Sequence, residues 1–161
     1  MGIFQKLFGK STDSICAPVA GKAVPISKVS DPTFGEEILG KGIAIEPSSG
    51  RVVAPCDATV DMMFDTGHAV SLVASFGAEI LIHVGLDTVN LQGKHYTIHA
   101  KNGDQVKKGD LLMEFDFEAI KAEGYDVITP VVICNSGDYS TFNTFVDKDV
   151  AEGDVVIELA K

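Results

Sequence analysis

Basic side chains are scarce in this chain: 13 Lys and Arg stand against 23 Asp and Glu, a formal net charge of −10. A surface of that sign repels phosphate-rich polymers, which excludes nucleic acid as a partner and makes a basic protein surface the complementary expectation. Long hydrophobic runs are also missing, none approaching the ~20 residues that cross a bilayer. Cysteine is limited to Cys16, Cys56 and Cys134, with no CxxC spacing and no signal-peptide pattern. That usage predicts reduced thiols in a cytoplasmic protein, each thiol a small core residue. No lengthy segment repeats with the 3.6-residue period of a helix, so an all-α fold is excluded. What remains is a 161-residue chain, 45% apolar, large enough to bury one sizeable core.

Short β-like runs separated by glycine turns fill the sequence. They are residues 23–26, 42–45, 51–54, 59–64, 70–73, 79–84, 111–115, 127–134 and 155–159, and together they predict an all-β antiparallel sandwich or barrel. Two very short helices are expected. One runs through DFEAIKAEG, with Asp116 as N-cap, Phe117 and Ile120 on one face and Gly124 ending it. The other is a single turn from Asp31 to Phe34 with Pro32 at its first position. Two degenerate repeats, VKKGDL (106–111) with VAEGDV (150–155) and APVAG (17–21) with APCDA (54–58), predict pseudo-symmetric hairpins. Lipoyl and biotinyl carriers share such hairpins but present a modified lysine at a tip, and no such lysine occurs here. Residues 1–14 read as a flexible tail preceding a single domain over 15–161. Within that tail Ile3, Phe4, Leu7 and Phe8 beside Lys6 and Lys10 form a weak membrane-surface pattern.

Two histidines fifteen residues apart, His68 and His83, flank a predicted hairpin in TGHAVSLVASFGAEILIHVG. A two-residue turn at Phe76-Gly77 pairs Ser75 with Ala78, sets Val70 opposite His83, and leaves His68 one diagonal step away. In that register both rings share a face, and a one-residue slip would separate them. Three chemistries fit a paired imidazole: histidines satisfied by backbone carbonyls, a metal site needing a third ligand, and a nucleophilic ring held by its neighbour. His95 and His99 are four apart but lie in a strand-like HYTIHAKNGD without an intervening glutamate, and they read as surface or structural residues.

The runs TGHAVSL and ILIHVGLDTVNLQGK, with DPTFGEEILGKGIAIEP before them and GDQVKKGDLLMEFD and TPVVICN after, resemble the glucose-type IIA component family of the bacterial sugar phosphotransferase system. The resemblance covers the chain from about Ala17 onward. It implies an antiparallel β-sandwich that accepts a phosphoryl group from the histidine of HPr and passes it to a cysteine of a IIB domain. On the matching motifs His83 is the phosphorylated residue, His68 contacts the phosphoryl group, and Thr66 hydrogen-bonds His68. Asp31 and Asp87 match acidic residues facing basic partners, and Phe34, Phe64 and Val84 are assigned to an apolar docking patch. No cofactor is required, although zinc can sit at His68 and His83 when a partner supplies a further ligand. Regulated permeases or kinases are further partners the resemblance allows.

Two positions depart from the family pattern. Gly67 stands where relatives commonly carry lysine or asparagine, and His95-Tyr96 where they carry an acidic residue and Gly-Phe. Two other functions compete. A regulatory module that docks through the histidine patch needs no phosphoryl transfer. A zinc peptidase of related β-sandwich type needs an HxH pair, and the residue two before His83 is Leu81.

Overall fold

The computed structural model describes residues 12–161. Its strands are β1 (Asp13–Cys16), β2 (Gly21–Pro25), β3 (Lys41–Pro47), β4 (Arg51–Val53), β5 (Ala58–Met63), β6 (Ala69–Ala74), β7 (Glu79–His83), β8 (Tyr96–Ile98), β9 (Gln105–Val106), β10 (Leu111–Phe115), β11 (Thr129–Ile133), β12 (Thr141–Thr144), β13 (Lys148–Val150) and β14 (Val155–Ala160). The helices are α1 (Pro32–Gly35) and α2 (Phe117–Ala122). An eight-stranded sheet runs β13-β2-β3-β11-β7-β6-β5-β9, and two three-stranded sheets run β1-β14-β12 and β4-β10-β8. Every ladder is antiparallel. The predicted β-sandwich is therefore present, with only two short α-helices among the described residues.

The central strands of the large sheet are apolar on both faces because each face carries its own cluster. Ile43, Ile45, Ile80, Ile82, Val131 and Ile133 point into the main core with Leu72, Leu112 and Ile157. The alternate residues Ala44 and Val132 join Val24, Ile26, Val29, Phe34, Leu86 and Ile128 in a second cluster, with Leu81 packed against it. Strand alternation does the rest: His83, two residues beyond Leu81, follows it to the outer face beside that cluster. Each fully buried aliphatic side chain here contributes about 1.5–3 kcal/mol relative to exposure.

The internal repeats fold as near-equivalent turns. In the first, Lys107 N–H donates to Asp110 Oδ2 at 2.9 Å and Gly109 N–H to Ala54 O at 2.9 Å. In the second, Ala151 N–H donates to Asp154 Oδ2 at 2.8 Å and Gly153 N–H to Ala17 O at 3.1 Å. Cys16 N–H bonds Pro55 O and Val53 N–H bonds Pro18 O, so the two Ala-Pro segments clasp each other about a pseudo-twofold. Both helices carry the expected caps, Asp31 accepting from Thr33 N–H at 3.0 Å and Asp116 from Ala119 N–H at 3.1 Å.

Three expectations need correction, and one falls on residues not described. Asp13 and Ser14 are not tail but the start of β1, paired with Leu159 and Glu158. The apolar pattern of residues 3–8 lies outside the described residues. Cys16 and Cys56 are buried as expected, whereas Cys134 is exposed at the end of β11. The β6–β7 turn has three residues rather than two: Ala74 N–H bonds Ala78 O at 2.8 Å, and Gly77 adopts φ 98° to close the loop. This is the loop in which a glycine takes the left-handed position before the ladder resumes.

Candidate active site

That turn shifts the ladder by one residue, so Ala69 rather than Val70 stands opposite His83. A continued strand would then send His68 to the other face. It does not, because β6 starts only at Ala69, and residues 64–68 form a turn in which Gly67 takes φ 72° and donates its N–H to Phe64 O at 2.7 Å. Freed from the pleat, the His68 ring meets His83 edge-on, with centroids 5.0 Å apart and planes at 81°. The pairing survives by a route the strand argument did not contain.

Each ring is oriented by its neighbours. His83 Nδ1 lies 2.7 Å from Gly85 O. A carbonyl only accepts, so Nδ1 carries the proton and Nε2 the lone pair. Thr66 Oγ1 is hydrogen-bonded to His68 Nδ1. The Phe34 ring sits 5.0 Å from His83, and Phe64 lies 5.4 Å from His68 in an edge contact. Val84 N–H donates to His68 O at 2.6 Å, tying the two histidine-bearing segments together through the backbone.

The predicted rim separates into two kinds of residue. Val84 is fully buried in the main core, and Phe34 is buried against His83, so neither is a surface contact: they are wall and floor. Phe64 is half-buried, Asp31 half-buried and engaged as a helix cap, and Asp87 exposed. Exposed apolar side chains that the sequence reading passed over stand on the neighbouring segments: Ile38 and Leu39 after α1, and Val89 two residues beyond Asp87. Hydrophobic residues in loops carried a signal, but only accessibility distinguishes them from core. His95 and His99 lie elsewhere, hydrogen-bonded to Glu123 and Glu114 respectively, and play surface roles.

Burial, reinforced by the neighbouring His83, holds the His68 pKa down at about 4. Burial also lowers that of His83, against the Gly85 carbonyl and the Asp31 and Asp87 carboxylates, which favour the charged ring. Both imidazoles are thus neutral at neutral pH. The unfolded chain protonates a histidine near pH 6.5, the folded His68 only near 4, so on acidification the unfolded state binds the extra proton first. Stability contributed above pH 6.5 is therefore lost as pH falls toward 4, by about 3 kcal/mol for this residue. Urea unfolding at pH 7, 5.5 and 4 should show that decline, and His68→Gln should flatten it.

Among the described residues no three His, Cys, Asp or Glu side chains converge to hold a metal ion, and no helix is long and apolar enough to cross a membrane.

Comparison with known proteins places this arrangement. Residues 13–139 match the family described as the phosphoenolpyruvate-dependent sugar phosphotransferase system, EIIA 1. A beta-glucoside-specific EIIBCA component from Dickeya chrysanthemi is 51% identical over 127 residues, 79% of this chain and 20% of that protein. The chain thus spans about a fifth of the length of such relatives. A glucose-specific EIIA component from Halalkalibacterium halodurans is 38% identical over a 170-residue alignment covering 99% of this chain and 98% of its own. The solved glucose permease IIA from Mycoplasma capricolum superposes with a TM-score of 0.86 at 31% identity, covering 92% of this chain and 96% of that one.

Proposed function

The chain belongs to the EIIA 1 family of the phosphoenolpyruvate-dependent sugar phosphotransferase system, a family of phosphocarriers for sugar uptake, and we propose that the phosphoryl group rides here on Nε2 of His83. The observation that carries this reading is the 2.7 Å contact between His83 Nδ1 and Gly85 O, which leaves Nε2 unprotonated as the nucleophile. The donor is the phosphohistidine of HPr. Its P–N bond breaks as the Nε2–P bond forms, and the donor nitrogen keeps the electron pair. In the second step a cysteine thiolate of a IIB domain forms a P–S bond, and Nε2 recovers its lone pair. The proton stays on Nδ1, donated to Gly85 O, throughout.

Chemistry of this kind needs positioning and charge stabilisation more than covalent assistance. Thr66, by donating to His68 Nδ1, leaves the His68 Nε2–H to bond a phosphoryl oxygen. Phe34 and Phe64 shield the pair from water. Asp31 and Asp87 steer a basic HPr surface toward the site, and Ile38, Leu39 and Val89 give apolar contact to whichever partner docks. Relatives bearing the EIIBCA name support a IIB domain as the receiver. Regulated permeases or kinases would use the same face; a docked protein that brought its own ligand could hold zinc together with His68 and His83, provided that His68 gave up the ring proton it otherwise offers to phosphate.

Incubation with phosphoenolpyruvate, its phosphotransferase enzyme and HPr should place one acid-labile phosphate per chain on the peptide containing His83. Label on His68, or none, would overturn the assignment. A pure docking module would remain unlabelled.

A further inference from the structure

The loop that fixes the His83 tautomer is held by a side chain from another sheet. Tyr96, at the start of β8, donates its hydroxyl to Val84 O at 2.7 Å, and Thr88 Oγ1 donates to the same carbonyl at 2.8 Å. At the other end of that peptide unit Gly85 N–H bonds Ile128 O at 3.2 Å, and the next unit is held by Leu86 N–H to Asp126 O at 3.0 Å. Gly85, at φ 88°, is pinned between two immobilised planes, and its carbonyl has one direction in which to point. The Tyr96 ring is itself anchored, stacked on Phe115 at 6.4 Å and 27°, with the two residues paired in the β8–β10 ladder. It also packs against the residue preceding the other histidine: a Cβ on Gly67 would lie 3.0 Å from Tyr96 Cβ.

We propose that Tyr96 is a positioning residue for phosphoryl transfer: by holding Val84 O it keeps the Gly85 carbonyl on His83 Nδ1, and so keeps the Nε2 lone pair presented. The proposal rests on His83 being the acceptor. Tyr96 touches neither ring nitrogen and acts only through the backbone. Burial pushes its phenol up to about 12, so it remains a donor at any physiological pH. The same contact joins the two departures from the family pattern noted above, because the position beside His68 is glycine where Tyr96 packs against it.

Tyr96→Phe keeps the ring and removes only the hydroxyl. In ¹⁵N-histidine-labelled, unphosphorylated protein, the His83 ring resonances should move from the Nδ1–H tautomer toward a mixture of the two. Single-turnover uptake at saturating phosphorylated HPr should slow by about fivefold, the effect of one net hydrogen bond, with the half-saturating HPr concentration unchanged because the docking surface is intact. Unaltered ring resonances, whether or not the melting temperature falls, would overturn the proposal, as would an unaltered saturating rate. Should wild-type protein fail to take label on His83, the functional reading falls. The tautomer comparison, made without phosphate, still decides whether Tyr96 sets the ring.

Discussion

His68→Gln protein should take phosphoryl label on His83 at a rate within a few-fold of wild type and deliver it to a IIB cysteine about 100-fold more slowly, whereas His83→Ala should take none. The asymmetry follows from charge. On uptake both the nucleophile and the departing group are neutral imidazoles, so an amide N–H that contacts a phosphoryl oxygen replaces that of His68 well enough. On delivery an anionic thiolate must approach an already anionic phosphoryl group. A ring beside that group, held at about pKa 4 in the unphosphorylated protein, gains affinity for a proton once the charge arrives. Glutamine has no such response, and loss of a responsive proton donor in a transition state costs on the order of 10²–10⁴ in rate. Rapid-quench measurement of each half-reaction separates the two; equal delivery by wild type and variant would remove His68 from the mechanism.

Gly85→Ala should cost about 2–4 kcal/mol in folding free energy, combining left-handed backbone strain with overpacking, and should abolish most phosphoryl uptake. A Cβ at Gly85 would stand 2.5 Å from Thr88 Cγ2 and 3.0 Å from Asp126 O, at a φ of 88° that side chains rarely adopt. Thr88 is fully buried and holds Val84 O, so it cannot retreat without loosening the loop that carries the His83 lock. Adding Thr88→Ser removes the clashing methyl while keeping the hydroxyl, and the double variant should recover part of the lost stability in urea titrations. A Gly85→Ala protein as stable and as readily labelled as wild type would contradict the account of this loop.

How much of this was legible beforehand varies with the physics of each element. The nine apolar runs became strands because burial rewards β-branched residues wherever they lie. Tyr96–Ile98 lies in a stretch already strand-like in sequence, whereas Asp13–Cys16, Gln105–Val106, Thr141–Thr144 and Lys148–Val150 escaped notice: they are two to four residues long, and their identity comes from a neighbouring ladder. Asp31 and Asp116 were readable as caps since a cap is a local contact. The hairpin register was not, because Ser75-Phe76-Gly77 accommodates two- and three-residue loops alike. Val84 and Val89 look equivalent in sequence, yet one is core and the other half exposed, a distinction set by tertiary packing alone. The hydroxyl of Tyr96 reaching a carbonyl twelve residues back is likewise invisible until the sheets close.

The ladder between Asp13–Cys16 and the final strand has a topological consequence. Since the first and last strands lie side by side with Asp13 opposite Leu159, the chain enters the first strand and leaves the last at neighbouring points. A tether reaching Asp13 from ahead and one leaving Leu159 behind would therefore pull on the same end of the same ladder.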